Sequence, residues 1–395
     1  MQVMRKILFV HHVSKIGGAS YCLLNLLKEV DRDKFHPIVL LREQGPLVDE
    51  ILKLEVEVCF MSSLCTVPYN KSLMNPYSIS AYYKIYKSFR FFRKVLDEKK
   101  PDIVYLNNSM LYPYLRVGKN KGSKTIVHIR EHWPLNEHIV QFGWFRKNIR
   151  KYSDRIISIN EYSAKMIPNV GNKTTIVYDW VDFADRYVEY DLDELCGENM
   201  SDKKILLFTG GMLELKGALH IYESFHRVCG DEYRLLALGA TRDWKLVGWK
   251  NILSRILLLF GYKMKSLRIV EAIRKDNRII CLPSTYSIKD IIQKSYCVLS
   301  FFTIPHANLA LAECIILKKP VIAARTEESE EYSVNGQYAE LFTINDQTQF
   351  ESKMANVDAI CSKLSERLDM GSKIVKHKFD RKRNAIIFRK VLANI

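Results

Sequence analysis

Phe301-Phe302-Thr303-Ile304-Pro305-His306-Ala307-Asn308-Leu309-Ala310-Leu311-Ala312-Glu313-Cys314, continuing as Ile315-Ile316-Leu317-Lys318-Lys319-Pro320-Val321-Ile322-Ala323-Ala324-Arg325, decides the fold. The apolar run Cys297 to Phe302 predicts a strand, and the loop after it opens a helix near Ala307. Lys318-Lys319-Pro320 stops that helix, and a second apolar strand follows. A strand-helix-strand unit leaves unpaired N–H groups at the helix start, which makes that start a ready anion site. Glu313 falls about a turn and a half further on, with its carboxylate available for hydroxyl groups.

Outward from this unit, the chain has 395 residues, room for two domains rather than one. An apolar fraction of 48% is enough for large cores. The net charge of +16 favours anionic partners, with nucleic acid, anionic lipid and phosphorylated small molecules all open on charge alone. Nine cysteines, odd in number and without a CxxC pair, fit free thiols in a reducing compartment rather than disulfides or structural zinc. Met1 to Val10 lacks the pattern of a secretory leader, and no run of 18 apolar residues predicts a membrane span.

The first half repeats a β-α rhythm. Lys6 to Val10 is a buried-type strand leading through His11 to Ser20 into an amphipathic helix from about Tyr21 to Val30. Gly17-Gly18 in that connection reads either as a tight turn needing positive φ or as a place where backbone amides approach a ligand. The spacing is not GxGxxG, so no nicotinamide-binding fingerprint is present. Strands at His36 to Leu41 and Val56 to Met61 imply a parallel sheet with right-handed crossovers. Asp102 to Asn107, Thr125 to Ile129, Arg155 to Asn160 and Thr175 to Tyr178 are further strands. His128, Arg130 and Glu131 cluster at one strand's carboxyl end, where open α/β sheets bind ligands, and are candidates for a polar or anionic substrate.

Residues 184–202 are acidic and poor in apolar residues, as a linker would be. The second half restarts with Ile205 to Thr209, then Gly210-Gly211-Met212-Leu213-Glu214-Leu215-Lys216-Gly217 and a helix from about Ala218 to Val228. Glycines followed by a lysine at a helix start suit a phosphate, or form an ordinary turn with a solvated lysine; the spacing is not that of a Walker loop. Tyr233 to Leu238 and Arg278 to Leu282 are strands, and Phe350 to Ile395 is mostly helical and basic.

Two segments break the rhythm. Pro68 to Lys100 interleaves Tyr77, Tyr82, Tyr83, Tyr86, Phe89, Phe91 and Phe92 with lysines and arginines; Arg242 to Lys275 carries Trp244, Trp249 and a leucine-rich run among basic residues. Each fits either a membrane surface or a helix packed on its domain with a solvated basic edge. Their shared pattern favours an anionic membrane surface, through residues 77–94 and 244–268. No helix-turn-helix, RNA-binding sheet motif or zinc spacing points to nucleic acid.

Two doubly wound halves, each with a glycine turn after its first strand, resemble the GT-B glycosyltransferase fold, and most closely the retaining family 4 enzymes of bacterial capsule, O-antigen and exopolysaccharide synthesis. Gly17 and Gly18 match the family's N-terminal glycine turn, and His128-Ile129-Arg130-Glu131 matches a strand end of its capsule and O-antigen members, whose histidine contacts the donor sugar. Lys216 and Gly217 match the segment that binds the donor diphosphate, with Gly211 where arginine is usual. Glu313 matches the second of the family's two glutamates, which holds the nucleotide ribose; the first falls on Pro305, so His306 or Asn308 would take over its sugar contact.

The resemblance implies two Rossmann-like α/β domains facing a cleft. The acceptor domain would span residues 1–190 and the donor domain 191–375, with a helix over 376–395 packing back on the first. It implies a retaining, metal-independent hexosyl or N-acetylhexosaminyl transferase using a nucleotide-diphosphate sugar as substrate, without a cofactor. The acceptor would be lipid-linked or a polysaccharide, at the inner face of the cytoplasmic membrane. His128 and Glu313 would be catalytic. The donor would meet Gly17, Gly18, Arg130, Glu131, Gly210, Gly211, Lys216, His306, Asn308, Leu309, Ala310 and Glu313, and no metal would be held. Two rivals stay open: a GT-B sugar-nucleotide epimerase, and a catalytically impaired binding or assembly protein at the membrane, which the proline at 305 would suit.

Overall fold

A computed structural model of the chain describes residues 4–68, 72–133, 139–181, 183, 188–243, 264–285 and 287–395. Residues 1–180 with 379–395 form one compact unit, and residues 181–378 form another.

The first unit is built on a seven-stranded sheet in the order β3-β2-β1-β4-β5-β6-β7. The strands are β1 (Arg5–Val10), β2 (Phe35–Leu41), β3 (Glu57–Phe60), β4 (Ile103–Leu106), β5 (Lys124–Ile129), β6 (Arg155–Ser158) and β7 (Thr174–Ile176), and every pairing is parallel. Near-continuous apolar runs such as Ile-Val-Tyr-Leu in β4 follow from burial on both faces. One face packs Leu8, Val10, Leu40, Leu106, Val127 and Ile129 against Ile85, Phe92, Tyr114 and Phe145. These four residues come from α3 (Pro76–Lys99), α4 (Pro113–Asn120) and α5 (Ile139–Tyr152). The other face packs Phe9, Leu41, Tyr105, Ile126 and Ile157 against α1 (Gly18–Lys28) and α2 (Pro46–Leu52). A C-terminal helix over Arg381–Ala393 completes that second face by burying Phe388, Val391 and Leu392. Each such side chain contributes roughly 1.5–3 kcal/mol on burial.

Local chemistry sets the element starts. In α3, Asn75 Oδ1 accepts from Tyr77 N–H at 2.9 Å and Pro76 occupies the first turn, so the helix begins at residue 76 rather than at the start of the aromatic segment. The acidic stretch read as a linker falls within the second unit and contains α7 (Leu192–Cys196), counted after the short α6 (Glu161–Lys165); the Asp191 side chain caps it.

The second unit carries a six-stranded parallel sheet, β10-β9-β8-β11-β12-β13. Its strands are β8 (Lys204–Phe208), β9 (Tyr233–Leu238), β10 (Ile279–Leu282), β11 (Cys297–Ser300), β12 (Val321–Arg325) and β13 (Glu340–Thr343). The last of these has no counterpart in the sequence reading. Helix α8 (Ala218–Val228) follows β8, α9 (Lys265–Lys275) and α10 (Lys289–Lys294) come next, and α11 (Leu309–Ile316) joins β11 to β12. Helix α11 starts two residues later than the sequence suggested: Asn308 has φ −114 and ψ 78, outside the helical region. It ends at Ile316, and Lys318, with a φ of 58, turns the chain away two residues before Pro320. No helix among the described residues is long and apolar enough to cross a membrane.

Candidate functional site

Chain order reverses in each sheet at its first strand: between β1 and β4 in the first unit, and between β8 and β11 in the second. Open parallel sheets bind ligands outside the strand carboxyl ends at such switch points. Both units place polar side chains there.

In the first unit, β1 ends at Val10, paired with Leu106 of β4. The next residues continue the register as two side-chain pairs. Asn107 Nδ2 donates to His11 Nδ1 at 3.1 Å, and Asn108 Nδ2 donates to His12 Nδ1 at 2.6 Å. His11 therefore carries its proton on Nε2 and donates to Ser20 Oγ at 3.2 Å, while Ser20 donates to the Lys15 carbonyl at 2.8 Å. This chain ties the Gly17-Gly18 connection to the sheet. Burial holds His11 well below the ordinary imidazole range, and burial with the nearby Arg42 charge brings His12 to about 4. Both rings are neutral hydrogen-bonding groups at physiological pH. Gly17 is extended, with φ −164, and a Cβ at either glycine would meet nothing within 4 Å. Of the two readings of Gly17-Gly18, the positive-φ turn is thus excluded, and open backbone at the start of α1 remains.

The next strand end holds His128, fully buried. Tyr105 Oη lies 2.7 Å from His128 Nδ1, and Arg130 donates to the same nitrogen at 3.2 Å, which leaves the proton on Nε2. That Nε2 has no partner among the described residues, nor does the buried Oδ1 of Asn107 or of Asn108. A buried donor and buried acceptors without partners cost about 1–3 kcal/mol each, so their clustering at one sheet edge fits a ligand-binding role. Arg130 donates to Asp179 at 2.6 Å, from a position only 7% exposed. Burial lowers the guanidinium's proton affinity, but its neighbours together, Asp179 foremost, outweigh burial and the affinity rises. Glu131 accepts from Ser109 N–H at 2.8 Å and from the Ser109 hydroxyl, which also receives Trp133 Nε1–H at 2.8 Å. Burial raises the Glu131 carboxyl above its usual range. Arg130 and Glu131 are thus engaged inside the unit, and His128 holds the unpartnered group.

In the second unit the glycines have packing reasons. Gly211 has φ +56, and a Cβ there would lie 2.6 Å from the Gly239 carbonyl oxygen; Tyr222 Oη donates to the Gly211 carbonyl at 2.6 Å. Gly217 has φ +72, and its Cβ would lie 2.1 Å from the Phe301 carbonyl oxygen. At Gly210 a Cβ would strike the Phe208 ring. These approaches, with Thr303 N–H donating to the Leu215 carbonyl at 3.0 Å, hold the 210–217 segment against the loop after β11. Lys216 and Glu313 then perturb one another without forming an ion pair among the described residues. Burial raises Glu313 to about 7 against the pull of Lys216, and burial lowers Lys216 against the pull of Glu313. An ammonium and a carboxyl so placed suit a ligand bearing both anionic oxygens and hydroxyls. In the same loop Asn308 Nδ2 donates to Ser300 Oγ at 2.8 Å, and the His306 ring centre lies 5.4 Å from that of Phe302. Leu309 and Ala310 form the first turn of α11.

The aromatic helix α3 is two-faced. Ile85, Ser88, Phe92 and Leu96 are buried, whereas Tyr83 and Tyr86 are 57% and 73% exposed among lysines and arginines. Trp144 of α5, 49% exposed, meets Tyr82 edge-on at 6.1 Å and extends this face. Of the second basic aromatic segment, residues 244–263 lie outside the described residues.

Sequence reasoning did not find His11, His12, Arg42, Asn107, Asn108 or Asp179. Paired polar residues directly after the apolar runs of β1 and β4 were the available signal; what was missing was the adjacency of those strands.

The family model described as Glycosyltransferase Family 4 matches residues 16–185. No curated protein matches the chain. Among solved structures, HepE of Anabaena in complex with UDP-glucose is 16% identical, with 99% of this chain and 100% of that chain covered at a TM-score of 0.73. Sucrose-phosphate synthase of Thermosynechococcus elongatus is 13% identical, with 99% and 100% covered at 0.69, and S. aureus MnaA with UDP is 14% identical, with 95% and 96% covered at 0.60. At such identities the likeness is one of fold: two parallel-sheet α/β domains of the GT-B kind.

Proposed function

We propose that this chain is a glycosyltransferase that moves a sugar from a nucleotide-diphosphate donor to a lipid-linked or polysaccharide acceptor in cell-surface polysaccharide synthesis. The observation that carries this reading is the Lys216–Glu313 pair at the β8/β11 switch point, an ammonium for a diphosphate and a carboxyl for ribose hydroxyls. The family 4 match over residues 16–185 and the fold shared with UDP-sugar-bound HepE support it. The second unit takes the donor, with the α11 amides adding to Lys216. The first unit takes the acceptor, with His128 Nε2–H supplying a hydrogen bond to a sugar hydroxyl. Transfer is retaining and metal-independent, and positive charge from Lys216 and the helix start offsets the diphosphate. The exposed aromatic and basic face of α3 and α5 supports peripheral attachment at the inner face of the cytoplasmic membrane.

A screen of the purified protein against nucleotide sugars, with bacterial lipid extract added, tests this reading. Release of nucleotide from one donor only when lipid is present is the expected result. Acceptor-independent conversion of the donor would favour the epimerase. Donor binding without release would favour the binding protein, with Pro305 in place of a functional side chain as the reason.

A further inference from the structure

Arg42, His12 and Asn108 are the first or second residues past the ends of β2, β1 and β4, three adjacent strands. Val10 pairs with both Leu40 and Leu106, so the registers extended by two residues bring Arg42, His12 and Asn108 into one row. Val10, Leu40 and Leu106 belong to the sheet face covered by α3, α4 and α5. The row continues that face, while His11 and Asn107 continue the other.

Each member of the row has unused capacity. Asn108 is 2% exposed, and its Nδ2 is committed to His12 while its Oδ1 has no partner among the described residues. His12 accepts on Nδ1, so its Nε2 carries a proton to donate. Held neutral by burial and by Arg42, it keeps that proton at physiological pH. Arg42 is exposed, close enough to His12 to influence it, and without a hydrogen-bond or ion-pair partner among the described residues. The row therefore offers one buried acceptor, one neutral donor and one permanently charged planar fork. A hydroxyl satisfies the first, and the oxygens of an anion satisfy the other two.

We infer that Arg42, His12 and Asn108 form a subsite for a hydroxylated phosphate ester, the phosphate on Arg42 and His12 and a neighbouring hydroxyl on Asn108. This deepens the acceptor reading of the first unit and rests on it. The phosphate ester can belong to a lipid head group or to a soluble polyol phosphate.

The full chain and its Arg42→Ala and Asn108→Ala variants are titrated with glycerol 1-phosphate, glycerol and glucuronate. They are also titrated with phosphatidylcholine vesicles containing either phosphatidylglycerol or phosphatidylserine. Arg42 is exposed, so Arg42→Ala keeps the fold, and matching thermal midpoints verify both variants. The subsite requires wild type to bind glycerol 1-phosphate over glycerol and glucuronate, or phosphatidylglycerol vesicles over phosphatidylserine vesicles of equal charge. The first preference identifies a soluble source and the second a lipid. Either preference falls by about tenfold in each variant, and Arg42→Lys restores part of it. Equal binding by wild type and variants, no preference in either arm, or a preference for glucuronate overturns the inference. Failure of the donor reading is separate: it shows as absence of stabilisation by any nucleotide sugar.

Discussion

Arg130 and Asp179 are joined at 2.6 Å across the carboxyl ends of β5 and the chain beyond β7, in a position where the guanidinium is almost wholly removed from solvent. The same guanidinium donates to His128 Nδ1 and so fixes the proton on the Nε2 that is left for a ligand. Arg130 is thus a positioning residue for His128. Removing one partner of a buried pair leaves the other charge uncompensated, at a cost of about 3–5 kcal/mol. Arg130→Ala and Asp179→Ala are each expected to lower stability by that amount in urea melts. The double variant should lose less than the sum, because the stranded charge is gone.

Glu313 makes stability and donor binding respond to pH in opposite directions. Its carboxyl titrates near 7 in the folded chain instead of near 4.5. The folded state holds the proton more tightly, so the stability linked to this group is full below about pH 4.5 and is lost as pH rises through 7, on the order of 3 kcal/mol. Glu313→Gln should be less sensitive to pH than wild type in urea melts between pH 5 and 8, and more stable at pH 8. Donor affinity in wild type should rise through pH 7 as the carboxylate forms, and that rise should vanish in Glu313→Gln.

Gly211 stands where the resemblance to family 4 would place an arginine, and the backbone explains why a side chain does not fit. Its φ of +56 and the approach of the Gly239 carbonyl exclude a Cβ. Gly211→Arg should therefore destabilise the second unit by about 2 kcal/mol or more without improving donor affinity. Gly217→Ala should be at least as damaging, because its Cβ would overlap the Phe301 carbonyl. Thermal unfolding of the two variants checks both.

The exposed face of α3 and α5 should bind anionic vesicles through charge and insertion together. Tyr86→Ser with Trp144→Ser is expected to weaken binding to phosphatidylglycerol vesicles about tenfold at moderate salt. Fold and donor-induced stabilisation should stay intact, since Tyr86 is largely exposed and Trp144 half exposed. Co-sedimentation measures it. Unchanged sedimentation would remove this face from the membrane reading.

The architecture was legible because parallel strands buried on both faces write themselves as apolar runs: Lys6 to Val10 and Tyr233 to Leu238 carry it without help from context. Lys216 and Glu313 stood out as candidates because the first precedes a helix start after a glycine turn and the second lies in the helix that joins two apolar strands. The His11–Asn107 and His12–Asn108 pairs were not. Each joins residues 96 apart, and only the sheet order that places β4 beside β1 brings them together. Nor could local pattern tell that Gly17-Gly18 is open backbone while Gly211 is a crowded left-handed turn, because the difference lies in what packs against them.

The most direct test of the central claim is donor-induced stabilisation and nucleotide release across a panel of nucleotide sugars with bacterial lipid present, for wild type, Lys216→Ala and Glu313→Gln. The expected result is stabilisation by one donor, lipid-dependent release of its nucleotide, and loss of both by about tenfold or more in each variant. Wild-type turnover that survives in both variants would contradict the donor site, and no stabilisation by any nucleotide sugar would contradict the glycosyltransferase reading.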